Sequence, residues 1–276
     1  MKRPVDNSTK NQLWQHVSAA IEVDITLGIT SHLIRMPAKD RDYELTDEML
    51  RQYRDAALVN AQSLLEEAAL LLAHGHFARA YFLSASCIEE AGKAVQAFEA
   101  LGRNLKDPAV TQRLKLQFED HSQKVTSAFS PWVQATPNIR DEIMTFVRMM
   151  VDLKFGREAS MYTDINVERM IVTTPQMQVR KKIALDCVRL AGTVLAHVRP
   201  YAHQAQPKTT TRVQDAFFAL RPSVFQKMAK TADFWEYYIS KMEQENTALE
   251  SAVTEYNLHY ISKGKLFNPT PATPAE

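Results

Sequence analysis

Apolar and small residues recur every three or four positions along most of this chain. In the clearest stretch, between positions 77 and 101, one helical face is formed by Phe77, Tyr81, Ser84, Ile88, Ala91, Val95 and Phe98. That spacing is typical of an amphipathic helix that turns one side toward a core. The chain shows no convincing run of strands. The pattern therefore favours an all-α protein.

Capping and breaking residues divide the pattern into five predicted helices. Thr46, followed by two acids, is a suitable N-cap for the first, and Gly75 separates it from the second in a tight antiparallel hairpin. Gly156 should loosen the end of the fourth helix, before a less regular piece. The predicted helices cover 46–73, 77–101, 108–129, 139–155 and 175–203. Short connections between them indicate an up-and-down bundle.

Extensions are predicted on both sides of the bundle. Residues 1–45 form an N-terminal extension with a brief helix, 46–206 the bundle, and 207–276 a helical C-terminal extension that ends in a disordered Pro/Thr-rich tail. Aromatic density in the C-terminal extension predicts docking onto the bundle or onto a second chain. The aromatics concerned are Phe217, Phe218, Phe225, Phe234, Trp235, Tyr237 and Tyr238.

Composition and charge are those of an ordinary globular protein. Hydrophobic residues make up 45% of the 276 positions, and 33 Lys and Arg face 32 Asp and Glu, so any basic surface must be local. Cys87 and Cys187 lie in apolar helical patterns, where unpaired thiols fit a reducing compartment. The N-terminus lacks an apolar signal region, and no uncharged apolar stretch is long enough for a membrane span. A cytoplasmic protein is predicted.

Three charged residues interrupt the predicted buried helix. Glu89, Glu90 and Lys93 must be paired there, because an unpaired buried charge is costly. Glu89 and Lys93 have the spacing of a stabilising pair, with Glu90 projecting elsewhere. Two interpretations stay open: a salt bridge beside a solvated Glu90, or a cleft into which the small neighbours Ala91 and Gly92 crowd all three charges.

Two further groups could take part in chemistry. His121 and Lys124 are three apart, so both point the same way, and a neutral imidazole is a candidate general base near neutral pH. Arg157 could grip a phosphate, and Tyr162 could donate a hydrogen bond or stack on a base. The alternatives are a surface histidine, an arginine at a helix end and a core tyrosine.

Several other chemistries fail on spacing. The chain contains no Cys-x-x-Cys, His-Glu-x-x-His, Gly-x-Ser-x-Gly or Gly-rich phosphate loop, and no Glu-x-x-His motif ends at His121. We therefore expect neither a metal nor a cofactor.

Five features in order resemble the AbiV-type abortive infection proteins of the HEPN superfamily, over about positions 46–203. They are Gly75-His76-Phe77-Ala78-Arg79-Ala80-Tyr81, then Ile88-Glu89-Glu90-Ala91-Gly92-Lys93-Ala94, then His121-x-x-Lys124, then Arg157 leading to Met161-Tyr162-Thr163-Asp164, and finally Pro175. The resemblance implies a helical bundle that acts in bacterial phage defence, in a superfamily where many members form dimers and cleave RNA without metal.

The chain departs from the usual HEPN ribonuclease pattern, in which an Arg is followed a few residues later by a His. Tyr162 stands at the corresponding distance after Arg157, and no His is near. Either His121 supplies the imidazole from another helix or the protein is not a nuclease. The first case predicts an endoribonuclease in which Lys124 and Arg157 stabilise phosphate charge and Glu89, Glu90 and Lys93 orient these groups.

The partners predicted in this case are RNA and a second copy of the chain in a homodimer, with no membrane. The alternative is a non-catalytic interaction protein that blocks translation or senses a phage protein, with the aromatic C-terminal region as its working surface. A phage-protein trigger or an antitoxin-like partner that masks the site is compatible with both.

Overall fold

A computed structural model describes residues 43–268, except positions 138 and 246. The helix predicted in the N-terminal extension and the Pro/Thr-rich tail after Asn268 lie outside the described residues. Within these limits the protein is all-α, as predicted, with one small β-hairpin.

The bundle region contains seven helices. They are α1 (Asp47–Ala73), α2 (Phe77–Ala100), α3 (Pro108–Glu119), α4 (His121–Ala135), α5 (Ile139–Met161), α6 (Pro175–Gln178) and α7 (Lys181–Ala202). Between α5 and α6, β1 (Asp164–Asn166) pairs antiparallel with β2 (Ile171–Thr173). Four more helices follow: α8 (Arg212–Ala219), α9 (Pro222–Ala229), α10 (Ala232–Glu245) and α11 (Leu249–His259), with a 3₁₀ turn at Ile261–Lys263.

Helix α2 is the centre of the bundle and packs against α1, α4, α5 and α7. Thr46 Oγ1 caps α1 by accepting a hydrogen bond from Met49 N at 3.2 Å. Gly75 makes the turn into α2 with φ of +81°, a conformation that costs glycine little. The predicted α1/α2 hairpin is confirmed. Because nearly every face of α2 meets another helix, its small residues are buried and its charges must find partners.

The prediction of one helix over 108–129 is wrong. The chain breaks at Asp120, whose backbone is extended and whose carboxylate accepts a hydrogen bond from Gln123 N at 3.0 Å. Asp120 therefore ends α3 and caps α4, and His121 is the first residue of α4 rather than the middle of a longer helix. The helix also does not end near position 129 as predicted: Pro131 lies inside α4, which continues to Ala135.

The fourth predicted helix is longer than expected. It runs through Gly156 to Met161, so Arg157 is helical and the irregular piece is shorter than predicted. A Cβ at position 156 would lie 2.1 Å from Tyr81 Oη, so this glycine allows close packing and does not loosen the helix. The β-hairpin that follows was not predicted. The last predicted bundle helix is also divided, because the backbone at Val179 and Arg180 is extended between α6 and α7.

The C-terminal helices build a small core of their own. Met228, Phe234, Tyr237, Val253 and Tyr256 are buried in it, with Phe217, Phe225 and Tyr238 packed around them. Most of the aromatics predicted to dock elsewhere therefore contact one another. Of that group, Phe218 packs against the core formed by α1, α2 and α3, as the docking prediction required.

A buried ion pair fastens this region to the bundle. Asp215 on α8 is buried and accepts from Arg103 Nη1 at 3.0 Å, from Asn104 N at 2.9 Å and from Thr210 Oγ1 at 2.8 Å. The Arg103 guanidinium carbon also lies 3.7 Å from the centre of the Phe218 ring, in a cation–π contact. One carboxylate thus joins the end of α2 to the start of the C-terminal region.

One helix among the described residues, α1, is long and apolar enough to cross a membrane by length and composition alone. It carries Glu66 and Glu67 within its apolar half and packs along α2 through Leu58 and Ala61. These are features of a helix that covers a protein core. Since α1 passes the test of length and apolar composition, the absence of a membrane span stays a prediction.

Candidate functional site

Four of the predicted site residues meet at one carboxylate. Glu89 projects from the middle of α2, His121 and Lys124 from the first turn of α4, and Arg157 from the last third of α5. His121 Nδ1 lies 2.7 Å from Glu89 Oε2, and Lys124 Nζ lies 3.8 Å from the same oxygen. Arg157 Nε lies 2.9 Å from Glu89 Oε1. Two helices therefore bring three basic side chains to one acid on a third.

Burial differs sharply among these groups. The side chains of Glu89 and Lys124 are 9% and 7% exposed, whereas Arg157 is 24% and His121 59% exposed. The acid and the lysine form the floor of the site, and the imidazole and guanidinium stand at its opening. A solute that arrives from solvent would meet His121 and Arg157 first.

Two glycines let the helices approach closely enough for this contact. A Cβ at Gly92 would lie 1.9 Å from the backbone oxygen of Lys124, so α4 crosses α2 directly over this position. Gly156 plays the same part against Tyr81, whose hydroxyl donates to Asp152 O at 3.2 Å. Gly92 therefore keeps the backbone of Lys124 close to α2, and Gly156 keeps the part of α5 that carries Arg157 close to α2.

Electrostatics at the site reflect the crowding of cations. Burial lowers the pKa of Lys124, the Glu89 carboxylate partly offsets that effect, and the nearby charges of Lys93 and Arg157 lower the pKa further. The buried Nε–H of Arg157 has no hydrogen-bond partner, since its direction misses the Glu89 oxygen, and the contact is a close charge pair.

A cleft of about 400 Å³ opens beside the cluster. Its polar lining residues are Glu89, His121, Ser122, Lys154, Arg157 and Glu158, and its apolar ones include Val125, Val147, Met150, Val151 and Leu153. Convergent polar groups at the edge of an apolar cleft are the usual form of a small-molecule or substrate site.

Glu90 and Lys93 do not join the cluster around Glu89. The two form a salt bridge with each other, so the predicted pair of Glu89 and Lys93 is wrong. Glu89 is turned toward α4 and α5, where His121, Lys124 and Arg157 contact it, and Lys93 pairs with the acid three residues before it instead of four. Their charges still affect the site, because both shift the pKa of Lys124.

Tyr162 does not reach the site. It is 61% exposed and lies just beyond the end of α5. Because α5 stays helical after Arg157, five further residues rotate the side chain by about 140° from the direction of Arg157. Tyr162 therefore does not replace the expected histidine. The imidazole beside Arg157 is that of His121, brought in from another helix.

Ser122, Lys154 and Glu158 also line the cleft and were not predicted from the sequence. Nor was the close approach of α5 to Tyr81 that Gly156 allows. Had α5 been predicted to continue, the helical period would have placed Lys154 next to Arg157, three residues on, and next to Glu158, four residues on. Within the described part of the chain, no three His, Cys, Asp or Glu side chains come together as a group that could hold a metal ion.

The bundle and its charged cleft define a helical protein of the HEPN class. A family model described as AbiV, HEPN_AbiV, matches residues 49–196, which is more than half of the chain. The chain therefore belongs to the AbiV family and is an abortive infection protein with a HEPN domain. Searches of curated proteins and of solved structures returned no significant match.

Proposed function

We propose that this protein is an anti-phage effector that cleaves RNA as a metal-independent endoribonuclease and thereby arrests host growth or translation. The observation that carries the proposal is the convergence of His121, Lys124 and Arg157 on Glu89 beside one cleft, which Glu89, His121 and Arg157 line. Phosphodiester cleavage needs a base near the ribose hydroxyl and positive charge near the phosphate. The cluster offers both within one site.

Glu89 fixes the tautomer of His121. A carboxylate only accepts hydrogen bonds, so the Nδ1 atom 2.7 Å from Glu89 Oε2 carries the proton and donates it. Nε2 then has the free lone pair and lies on the exposed side of the ring. In this arrangement Glu89 is a positioning residue and His121 is the group that meets the substrate.

In the proposed reaction, His121 Nε2 takes the proton of a ribose 2′-hydroxyl, and the 2′-oxygen attacks the adjacent phosphorus. The P–O2′ bond forms while the P–O5′ bond breaks, and the departing 5′-oxygen takes a proton from water. The products are a 2′,3′-cyclic phosphate and a 5′-hydroxyl. Arg157 and the more deeply buried Lys124 stabilise the charge that builds on the phosphate oxygens.

A homodimer is part of the proposal. Helix α5 and the β-hairpin after it expose a series of apolar side chains: Met144, Val151, Phe155, Ile165, Val167 and Met170. Contiguous exposed apolar surface marks an interaction site. Val151 also lines the site cleft, so a second copy that covers this surface would stand at the edge of the cleft.

The same surface supports a second candidate, a non-catalytic protein that binds part of the translation apparatus or a phage protein. An antitoxin-like partner that masks the site would use it too. Under this candidate, the charged cluster specifies the fold and the exposed face of α5 makes the functional contact. The aromatic C-terminal region is a poorer candidate for that contact, because most of its rings pack against one another in a core of that region.

Purified protein incubated with total bacterial RNA and a chelator separates the two candidates. We expect cleavage by the wild-type chain, and a loss of about 100-fold or more in the His121→Ala variant. His76→Ala is the matched control, because His76 is exposed and makes no capping bond with its side chain. Intact RNA with the wild type, together with growth arrest that persists in His121→Ala, would favour the interaction protein.

A further inference from the structure

A second cleft, larger than the first, lies where the bundle meets the C-terminal region. Its volume is about 660 Å³, and its polar lining includes Glu99, Arg103, Gln134, His197, Tyr201 and Lys208. We name it the junction cleft. Glu99 follows Glu89 by ten residues on α2, so this cleft lies about 15 Å along the helix from the candidate active site. None of its lining residues belongs to the first cleft.

One carboxylate oxygen of Glu99, Oε2, accepts no hydrogen bond from the described residues. The Tyr201 hydroxyl donates to Glu99 Oε1 at 3.0 Å, and no other hydrogen bond to this carboxylate is found among the described residues. Burial raises the pKa of Glu99, and the Tyr201 hydrogen bond and the Arg103 charge only partly oppose that effect. A half-buried carboxylate with a free oxygen favours a ligand that offers N–H donors.

The rest of the lining offers one unpaired cation to a negatively charged group. Arg103 also lines the cleft, but the buried Asp215 carboxylate balances its charge. Arg103 is held in place by Asp215 and Phe218, whereas Lys208 is exposed and has no hydrogen-bond or ion-pair partner in the described structure. A ligand of the junction cleft should therefore combine an anionic group with adjacent N–H donors.

The walls are flat and fixed. His197 stacks on Trp132 with ring centres 5.6 Å apart and planes 8° from parallel, and Tyr201 meets Phe98 edge to face. The segment that carries Lys208 is tied to the end of α2 by a hydrogen bond from Thr210 N to Gly102 O at 2.9 Å. His197 and Tyr201 are neighbours on α7, and a planar ring could pack against these held side chains with little rearrangement of the protein.

We propose that the junction cleft binds a guanine nucleotide. Guanine presents its N1–H and its exocyclic amino group side by side on one edge, so one can donate to the free Oε2 of Glu99 and the other to the second lone pair of Oε1, beside the Tyr201 hydrogen bond. The phosphate then lies toward Lys208, and the cleft volume is within the range of small-molecule sites. The same chemistry fits a free nucleotide or the terminal guanosine of an RNA. This site is separate from the proposed nuclease centre and does not depend on it.

Calorimetric titration of the full chain with GMP, IMP and XMP tests the proposal. GMP should bind, and IMP, which lacks the amino group, should bind about tenfold more weakly. Glu99→Gln should weaken GMP binding by a similar factor and shift the preference toward XMP, because the amide donates to the second carbonyl of xanthine. Glu67→Gln, at an exposed acid on α1, should leave GMP binding unchanged.

Lys208→Ala provides a second test at an exposed position, where folding is not at risk. It should weaken GMP binding severalfold without affecting guanosine. A guanosine-ended trinucleotide that binds more tightly than GMP, and loses that affinity in Glu99→Gln, would identify RNA as the source of the base. Failure of both GMP and the trinucleotide to bind at millimolar concentration, equal binding of GMP and IMP, or unchanged GMP affinity in folded Glu99→Gln would overturn the proposal.

Discussion

Glu89 Oε2 accepts a hydrogen bond from His121 Nδ1 at 2.7 Å, although the two residues are 32 positions apart and on different helices. Glu89 does not pair with Lys93 on its own helix, because Lys93 forms its salt bridge with Glu90. The contact links the buried floor of the site to its exposed opening. It also makes Glu89 the residue on which the arrangement of the whole cluster depends.

Glu89→Gln should reduce RNA cleavage strongly and destabilise the fold. The amide keeps the shape of the side chain but leaves Lys124, buried and close by, without a counter-charge. We expect the free energy of unfolding to fall by roughly 1–3 kcal/mol, measured by urea denaturation. Glu67→Gln serves as the control on an exposed acid. Wild-type stability and wild-type cleavage in Glu89→Gln would contradict the role assigned to this carboxylate.

Gly92→Ala should force α4 away from α2. The added Cβ would meet the Lys124 backbone oxygen at 1.9 Å, and backbone atoms cannot turn aside as a flexible side chain can. We expect a loss of about 1–3 kcal/mol or more in urea denaturation.

Gly192→Ala is the matched control for this substitution. The nearest atom to its new Cβ would be Leu65 Cδ2 at 3.9 Å, an ordinary contact, so the higher helix propensity of alanine should add up to about 1 kcal/mol. Equal effects of the two substitutions would show that the close crossing at Gly92 does not control stability.

The cap at Asp120 should give a pH-dependent contribution to stability. Burial acts to raise the pKa of this carboxyl, but hydrogen bonds from Gln123 and Ser122 and the Arg113 charge outweigh it, so the pKa is lowered overall. A lowered folded-state pKa means that the contribution is complete above the ordinary aspartate pKa of 3.8 and is lost as the pH falls through the folded value.

Asp120→Ala should therefore cost about 1 kcal/mol near neutral pH, and less in acid, by urea denaturation at both pH values. Asp120→Asn keeps a capping side chain and should be milder at neutral pH. An Asp120→Ala effect that does not change between neutral pH and about pH 3 would rule out a role for the ionised cap.

Asp215→Ala should loosen the attachment of the C-terminal region. It removes three hydrogen bonds at a buried carboxylate and leaves Arg103 without its counter-charge. We expect a loss of about 3 kcal/mol or more and faster proteolysis within 207–214. In Asp186→Ala, which breaks an exposed pair with Lys182, the loss should stay below about 1 kcal/mol. Equal protease resistance in both variants would contradict the fastening role of Asp215.

Local signals in the chain were sufficient for the first half of the bundle. Thr46 and Gly75 predicted the α1/α2 hairpin correctly, because a cap and a positive-φ turn depend on neighbouring atoms only. Asp120 carried the same kind of signal, but the apolar period continues across it and favoured one helix over two. Gly156 suggested a helix end when considered alone. In the structure, Gly156 makes room for the Tyr81 ring, which is distant in sequence, because any larger residue would collide with that ring.

The sequence by itself determined that the protein is helical, where its first helices begin and end, and which polar residues could form a site. Only the tertiary structure decided which of those residues meet. Helical spacing allows Lys93 to pair with either Glu89 or Glu90. The choice follows from α4 and α5, which bring one imidazole and two cations to Glu89 across crossings that Gly92 and Gly156 keep short. A buried carboxylate takes the partners that packing brings to it, and packing is a property of the whole fold.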